Sequence, residues 1–417
     1  MRPDWDFRAL SEVCQIKPPK KEARRRLADD DLVSFVPMDQ LGIRDKELRL
    51  TTDRRLHEVS GSYTYFADGD VLLAKITPCF ENGKLGIARG LTNGVGYGSS
   101  EFIVFRPGPD LNPEYLFYFL SQDSFKDAGA SVMSGAVGHK RVPKQFIENY
   151  LIPIPSLEEQ KRIVAILDEA FAGIDRAIAN TEKNLANASS LFDSYLDRRL
   201  FSVASGRPIQ SLSSITRMII DCEHKTAPTQ DTGFPSIRTP NVGKGHLILD
   251  NVKCVSEETY KHWKRRAQPE AGDLILAREA PAGNVGVVPE GKRVCLGQRT
   301  VLIRPNHELV VSQYLTYLLL HSILQRRLLS HSTGATVEHV NMRDIRGLGV
   351  SGLPPKEEQL KTVELIDSVK KSVVEIVSLY EQKLAALSEL KQSLLQKAFS
   401  GELTAPRAEK ELADAVA

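Results

Sequence analysis

In the run Asp221-Cys222-Glu223-His224-Lys225, an acid, a lysine and a histidine come within five residues. An acid followed two places on by a lysine is an element that a metal-dependent nuclease uses, because the metal activates water and the ammonium steadies the developing charge. Such a site needs a second metal-binding acid at the end of a neighbouring strand, and none stands at the expected place. A polar recognition loop is the better reading. Gly286-Val287-Val288-Pro289-Glu290-Gly291-Lys292-Arg293 approaches a phosphate-binding loop, but Arg293 stands where the magnesium-binding hydroxyl belongs. Gly94-Val95-Gly96-Tyr97-Gly98-Ser99 lacks the third glycine of a dinucleotide-binding turn. Neither the nine histidines nor the five cysteines show metal-ligand spacing, and no Cys-x-x-Cys occurs. The amino-methyltransferase tetrapeptide is missing as well. No metal site, cofactor or catalytic residue is expected in this chain.

What the turn-rich segments do carry is donors. Arg, Lys, Asn, Gln and His read base edges, while Ser, Thr and backbone N–H groups fix phosphates. The candidates in the first half are Lys75, Lys84, His139, Lys140 and Arg141. Those in the second half are His224, Lys225, Arg238, Asn241, Lys244, Arg278, Gln298 and Arg299. Two basic runs, Lys20-Lys21 with Arg24-Arg25-Arg26 and Lys264-Arg265-Arg266, read as solvated surface.

The elements that must position these residues come in duplicate. Gly69-Asp70-Val71-Leu72-Leu73-Ala74-Lys75 returns as Gly272-Asp273-Leu274-Ile275-Leu276-Ala277-Arg278. Arg106-Pro107 returns as Arg304-Pro305, Tyr115-Leu116 as Tyr314-Leu315, and Gly135-Ala136 as Gly334-Ala335. Pro155, Glu159 and Gln160 match Pro354, Glu358 and Gln359, an offset of 199. Each copy opens with β-like runs, 70–76 and 102–106 in the first, 273–277 and 300–304 in the second. Helices follow at 114–121 and 312–329. No βαβ winding is evident, so the fold class is α+β, two similar mixed α/β domains.

Each copy then closes in a long helix. The prolines before 157 and 356, with Glu158, Glu159, Glu357 and Glu358 in the first turns, mark the starts. No proline interrupts either segment for about 45 residues, or about 67 Å. Ile366, Val373, Tyr380, Leu387 and Leu394 fall seven apart, with Val369, Ile376 and Leu390 as a second row. The first helix carries Leu167, Ile174, Thr181, Ala188 and Tyr195, with Ile163, Ala170, Ala177 and Leu191 beside them. Sustained heptads predict that the two helices pack as an antiparallel coiled coil. The expected divisions are recognition domains at 1–156 and 202–355, helices at 157–201 and 356–400, and a flexible tail at 401–417.

Composition excludes the remaining classes. Apolar residues make up 41% and charged residues 26%, which excludes wholesale disorder. The longest apolar stretch, 310–324, is too short and too polar to span a bilayer, and the N-terminus has no signal-peptide core. A soluble, cytoplasmic protein is expected. A net charge of +2 decides little, since nucleic-acid binding needs only a local basic face.

The chain resembles the specificity subunit of type I restriction–modification systems over nearly its whole length. The resemblance is carried by Pro153-Ile154-Pro155-Ser156-Leu157-Glu158-Glu159-Gln160 and by its repeat at Leu353-Pro354-Pro355-Lys356-Glu357-Glu358-Gln359. Ser393-Leu394-Leu395-Gln396-Lys397-Ala398-Phe399-Ser400-Gly401-Glu402-Leu403 and the Gly-Asp runs are similar too. The first helix departs from the pattern, ending in Arg198-Arg199-Leu200-Phe201 without Ser-Gly-Glu-Leu. The resemblance implies that each domain reads half of a bipartite double-stranded DNA site. It implies that the paired helices space the domains and dock two methyltransferase subunits. S-adenosylmethionine would sit on those subunits and ATP on a motor–nuclease subunit. Two other readings stay open: a coiled-coil scaffold that binds only proteins, and an autonomous metal-dependent nuclease using Asp221, Glu223 and Lys225.

Overall fold

The computed structural model describes residues 5–136, 138–204, 206–330 and 339–405. The chain divides into two compact units, one of Met1–Thr181 with Gln382–Ala417, the other of Glu182–Glu381.

The first unit is built on a four-stranded sheet in the order Cys14–Ile16, Phe102–Pro107, Val71–Ala74, Leu85–Ile87, all antiparallel. The middle run is apolar at every position because both faces of the sheet are covered. Val71 and Leu73 point into the core that contains Tyr115, Leu116 and the long helices, while Leu72 and Ala74 point into a second core with Phe66 and Val104. A second sheet, in the order Asp53–Arg55, Leu32–Val36, Val95–Gly98, Thr64–Ala67, completes this unit's outer half.

The second unit repeats the plan. Its sheet runs Thr216–Asp221, Thr300–Pro305, Leu274–Ala277, Val285–Val287, with Gly245–His246 added at the edge. Leu274 and Leu276 again face one core, Ile275 and Ala277 another. The expected helix at 312–329 is two helices, Ser312–Leu320 and Ser322–Leu329. The break is His321, whose backbone is extended and whose ring accepts the N–H of Ile323 at 3.2 Å. Apolar periodicity continues across the break and so does not show it.

The repeated residues turn out to be each other's partners. Gly69 and Gly272 take φ of +89° and +86°, left-handed values that favour glycine. The following carboxylates are almost wholly buried. Asp70 is forked by Arg106 at 2.7 and 2.8 Å, and Asp273 by Arg304 at 2.9 and 2.7 Å. Each carboxylate also accepts a turn N–H, from Ala67 or from Glu270, at 2.8 Å. Burial pushes the Asp70 carboxyl up, and the Arg106 fork opposes that rise.

The long helices run Leu157–Ala204 and Lys356–Ser400. Ser156 caps the first, accepting the N–H of Glu159 at 3.3 Å. The fully buried Gln160 then bonds the Asn112 N–H and the Asp110 and Pro155 carbonyls, at 2.8, 2.8 and 2.9 Å. Gln359 does the same with the Val311 N–H and the Leu309 and Pro354 carbonyls, at 2.8, 2.9 and 2.8 Å. Two turns further on, Tyr118 donates to Asp168 and Tyr317 to Asp367. Each domain is therefore riveted to the start of the helix that follows it.

In the first unit, residues 157–181 of one helix and 382–400 of the other run antiparallel. Asp175 pairs with Lys391, while Glu159 near one helix start bonds Thr404 beyond the other's end. In the second unit, Leu196 and Leu200 share a core with Ile366, and Arg207 pairs with Glu358 at 3.2 Å. The expected seam residues Leu167, Ile174, Tyr195, Ile366, Val373, Tyr380, Leu387 and Leu394 are all buried or half-buried. The second row is corrected in part. Ile163 is buried and Ala170, Ala177 and Val369 are half-buried, but Leu191, Ile376 and Leu390 are exposed, and a further half-buried row stands at Lys370, Val377, Leu384 and Lys391, four residues after each seam residue rather than three. In the first helix the same places are held by Phe171, Ile178, Leu185 and Phe192. Residues 401–405, expected in the tail, are packed instead: Leu403 is buried in the core and its N–H bonds Lys397 at 3.0 Å. The rest of that tail, 406–417, and Gly334-Ala335 lie outside the described residues.

Candidate nucleic-acid interface

In the first unit the candidates gather where strand Val71–Ala74 ends. Lys75 donates its backbone N–H to Glu101 and accepts from Val142, and Thr77 donates to the Lys140 carbonyl, at 3.0, 3.0 and 2.9 Å. Ser134 and Arg141 exchange both backbone bonds. The loop carrying His139, Lys140 and Arg141 is thus laced to the strand end, with all three side chains exposed. Arg141 grips Glu101 through two nitrogens at 2.9 and 2.8 Å. That guanidinium holds the Glu101 carboxyl below its ordinary range. Lys75 donates its Nζ to the Ser100 carbonyl at 3.0 Å, 3.9 Å from Glu101. Lys84 stands apart from this loop, its Nζ taken up by the Met38 carbonyl at 2.7 Å.

The second unit uses the same lacing with different chemistry. Arg278 donates its N–H to the Arg299 carbonyl and accepts from Val340, at 2.9 and 3.0 Å. Its side chain is buried. Nε donates to the Val340 carbonyl at 2.8 Å, one terminal nitrogen to Asp221 at 2.7 Å and the other to His339 Nε2 at 2.8 Å. With Nε2 accepting, the network assigns the His339 proton to Nδ1, which faces Glu279 at 2.8 Å. Glu279 also pairs with the exposed Arg299 at 2.8 Å. His224 lies 3.2 Å from Asp221, and Lys225 beside it is exposed. Arg278, Arg299 and His224 are thus brought together, with Gln298 half-buried next to them.

The other second-unit candidates lie elsewhere. Asn241 is a turn cap, its side chain accepting the Arg238 N–H at 3.2 Å while the Arg238 side chain is exposed. Lys244 faces the first long helix, 3.7 Å from Asp193. Of the acids a nuclease would need, Asp221 meets Arg278 and Glu223 meets Arg266 at 3.2 Å. Both are neutralised by guanidinium groups. Among the described residues no group of three His, Cys, Asp or Glu side chains could hold a metal ion. No described helix is long and apolar enough to cross a membrane.

Sequence reading missed Glu101, Glu279 and His339, the residues that hold the basic side chains in place. Glu279 carried a signal, since it directly follows Arg278. His339 carried none, because its partners lie 60 residues away.

Two mixed units of one strand order, each riveted to a long helix and each gathering basic side chains at the same strand end, define a duplicated scaffold. The family model for the type I restriction modification DNA specificity domain matches residues 3–186 and again 223–386. The chain belongs to that family, and its two matches are the two halves of the internal duplication.

Over 162 residues the chain is 43% identical to the EcoEI specificity subunit and 39% identical to the EcoAI specificity subunit, both of Escherichia coli. These alignments cover 38% of this chain but only 26% and 27% of those subunits, about a quarter of their length. A putative MjaX specificity subunit of Methanocaldococcus jannaschii aligns over 92% of both chains at 21% identity. Among solved structures, a chain described in work on complex assembly and conformational transition of the type I R-M system shares the fold. Its TM-score is 0.78 at 21% identity, covering 97% of this chain and 99% of that one. The HsdS subunit of Thermoanaerobacter tengcongensis gives 0.56 at 20% identity, covering 97% and 98%.

Proposed function

We propose that this chain supplies DNA specificity to its complex, each unit reading one half of a bipartite double-stranded target. The long helices set the gap between half-sites and dock two methyltransferase subunits. S-adenosylmethionine belongs to those subunits and ATP to a motor–nuclease subunit; this chain holds no cofactor. The reading rests on one observation above the rest: the same lacing places unlike basic side chains at the same strand end in both units.

The test is domain exchange. Replacing residues 206–353 by the matching segment of a related chain is expected to change one half-site, mapped by sequencing methylated sites in the reconstituted complex. A change in both half-sites would end the modular reading. Deleting residues 181–187 keeps the heptad register but shortens one helix by about 10 Å. At about 3.4 Å per base pair the gap should contract by up to about three base pairs. An unchanged gap in a fully active variant would remove the helices as the spacing element. Binding to a methyltransferase partner with no DNA shift, alone or together, would favour the protein scaffold.

A further inference from the structure

A cavity of about 270 Å³ opens in the first unit beside the laced loop, and four lysines line it: Lys17, Lys20, Lys75 and Lys144. Among the described residues no acid lines it. Two carboxylates outside the lining offset part of this charge: Glu148 pairs with Lys144 at 2.8 Å, and Glu101, already forked by Arg141, lies 3.9 Å from Lys75. Lys20 and Lys75 are held by main-chain carbonyls, those of Ser60 and Gly61 for the first and of Ser100 for the second. Carbonyls orient an ammonium but do not neutralise it. Crowding and burial accordingly push both Lys20 and Lys75 below the usual lysine range, desolvation first and the neighbouring Lys17 next among the lowering causes. Lys17 itself takes φ of +59°, an uncommon value for a side-chain-bearing residue.

The remaining walls are mixed: Ile16, Phe102, Ile103 and Val142 give an apolar side, and Tyr63, with Ser62, Thr64 and Ser100, adds an aromatic ring and polar groups. A bare anion would leave most of this space to water against the apolar side, since a water takes only about 30 Å³. The volume falls just short of the roughly 300–1,000 Å³ of small-molecule sites. Concentrated positive charge beside an apolar, partly aromatic wall fits a ligand with an anionic end and a flat apolar body. In the second unit Arg278 stands where Lys75 does, and Asp221 neutralises it.

We propose that the Lys17–Lys20–Lys75–Lys144 cleft is a nucleotide site, holding a phosphate on its lysines and a base or sugar against its apolar side. The inference deepens the DNA-recognition reading and rests on it for the source, a nucleotide unit of the bound strand. A free nucleotide offers the same chemistry.

The experiment uses the full chain and the variant Lys17→Gln/Lys144→Gln, whose two changed side chains are exposed and need not disturb folding. Deoxyadenosine 5′-monophosphate, inorganic phosphate and unphosphorylated deoxyadenosine are titrated by calorimetry and by thermal shift. The monophosphate should bind best, phosphate more weakly and deoxyadenosine least, and the variant should lose at least tenfold in monophosphate affinity. For duplex DNA, the slope of log affinity against log salt should flatten by about 1–2 in the variant. Displacement of the monophosphate by duplex identifies the bound strand as the source, and simultaneous binding identifies a free nucleotide. No binding of monophosphate or phosphate by the wild-type chain, or equal binding by the variant, overturns the site. DNA binding with an unchanged salt slope and no monophosphate binding sinks the cleft but spares the recognition reading. Monophosphate binding without any DNA binding does the reverse.

Discussion

At the same strand end, the first unit places Lys75 against Glu101 and Arg141, while the second places Arg278 among Asp221, His339 and Glu279. The backbone bonds are the same in both: the residue after the strand donates to the start of its neighbour and accepts from the incoming loop. Duplication has kept the lacing and replaced the chemistry. In the first unit the lysine ammonium is half-exposed and the nearest carboxylate is spent on another cation, so positive charge faces outward. In the second the cation is buried and matched, and Arg299 and His224 carry what is presented. On the proposed function, a pair of readers for unlike half-sites should differ in this way: common main chain, private side chains.

The framework side of the comparison breaks first if the buried forks are unequal. Asp70→Ala and Asp273→Ala each remove a two-pronged carboxylate from a partly buried guanidinium that keeps only Glu22 or Glu270 as an acid partner, and each should cost about 3 kcal/mol. Hydrogen exchange on the strands of each unit reads the two losses separately. Near-zero cost in one unit would mean that its repeat is no longer structural.

Gln160→Leu and Gln359→Leu come next. Each leaves a buried N–H and carbonyls without partners, for about 2–3 kcal/mol apiece. Denaturant unfolding should show matching losses, and a loss confined to one variant would break the symmetry of the rivets.

The chemistry side is sharpened by exchange at the strand end. Arg278→Lys loses the planar fork that joins Asp221, His339 and Val340, and should cost about 2 kcal/mol. Lys75→Arg has no such network to lose and should change stability by less than about 0.5 kcal/mol. Equal costs would show that the two sites are not different after all.

The smallest effect is a pH dependence. The Arg141 bond lowers the Glu101 carboxyl from its ordinary 4.5, so the folded loop favours the ionised form. Its contribution is complete above about pH 4.5 and is lost as pH falls through the lowered value. The protection factors of the amides in residues 138–142 should fall on acidification in that window, and Glu101→Gln should remove the dependence. Protection that is insensitive to pH in the wild-type chain would detach Glu101 from loop order.

Much of the framework was legible because it is periodic or duplicated. Gly69-Asp70, Arg106 and Gln160 stood out as repeats, but one chain could not show that the carboxylate meets the arginine or that the glutamine is buried. The heptads were legible, yet the second row was misplaced at Leu191, Ile376 and Leu390. Ile376 and Leu390 look like seam residues by type, whereas Lys370 and Lys391 bury their stems against the seam and look like surface. Of the interface, the donors could be named, but not their partners. Arg278 and His339 meet only through the fold, and the donors' division into outward-facing and matched cations depends on contacts across 57 to 61 residues.

All the domain-side partners of Gln160 and Gln359 are main-chain atoms: an N–H and a carbonyl of the loop at 110–112, and the same pair at 309–311. That part of the joint is blind to side-chain identity; the tyrosine–aspartate bond and the apolar contacts beside it are not. A domain that keeps the loop's backbone course, the tyrosine and those apolar contacts can seat on the helix whatever residues it carries elsewhere. Side chains away from the joint can therefore change without a matching change in the helix.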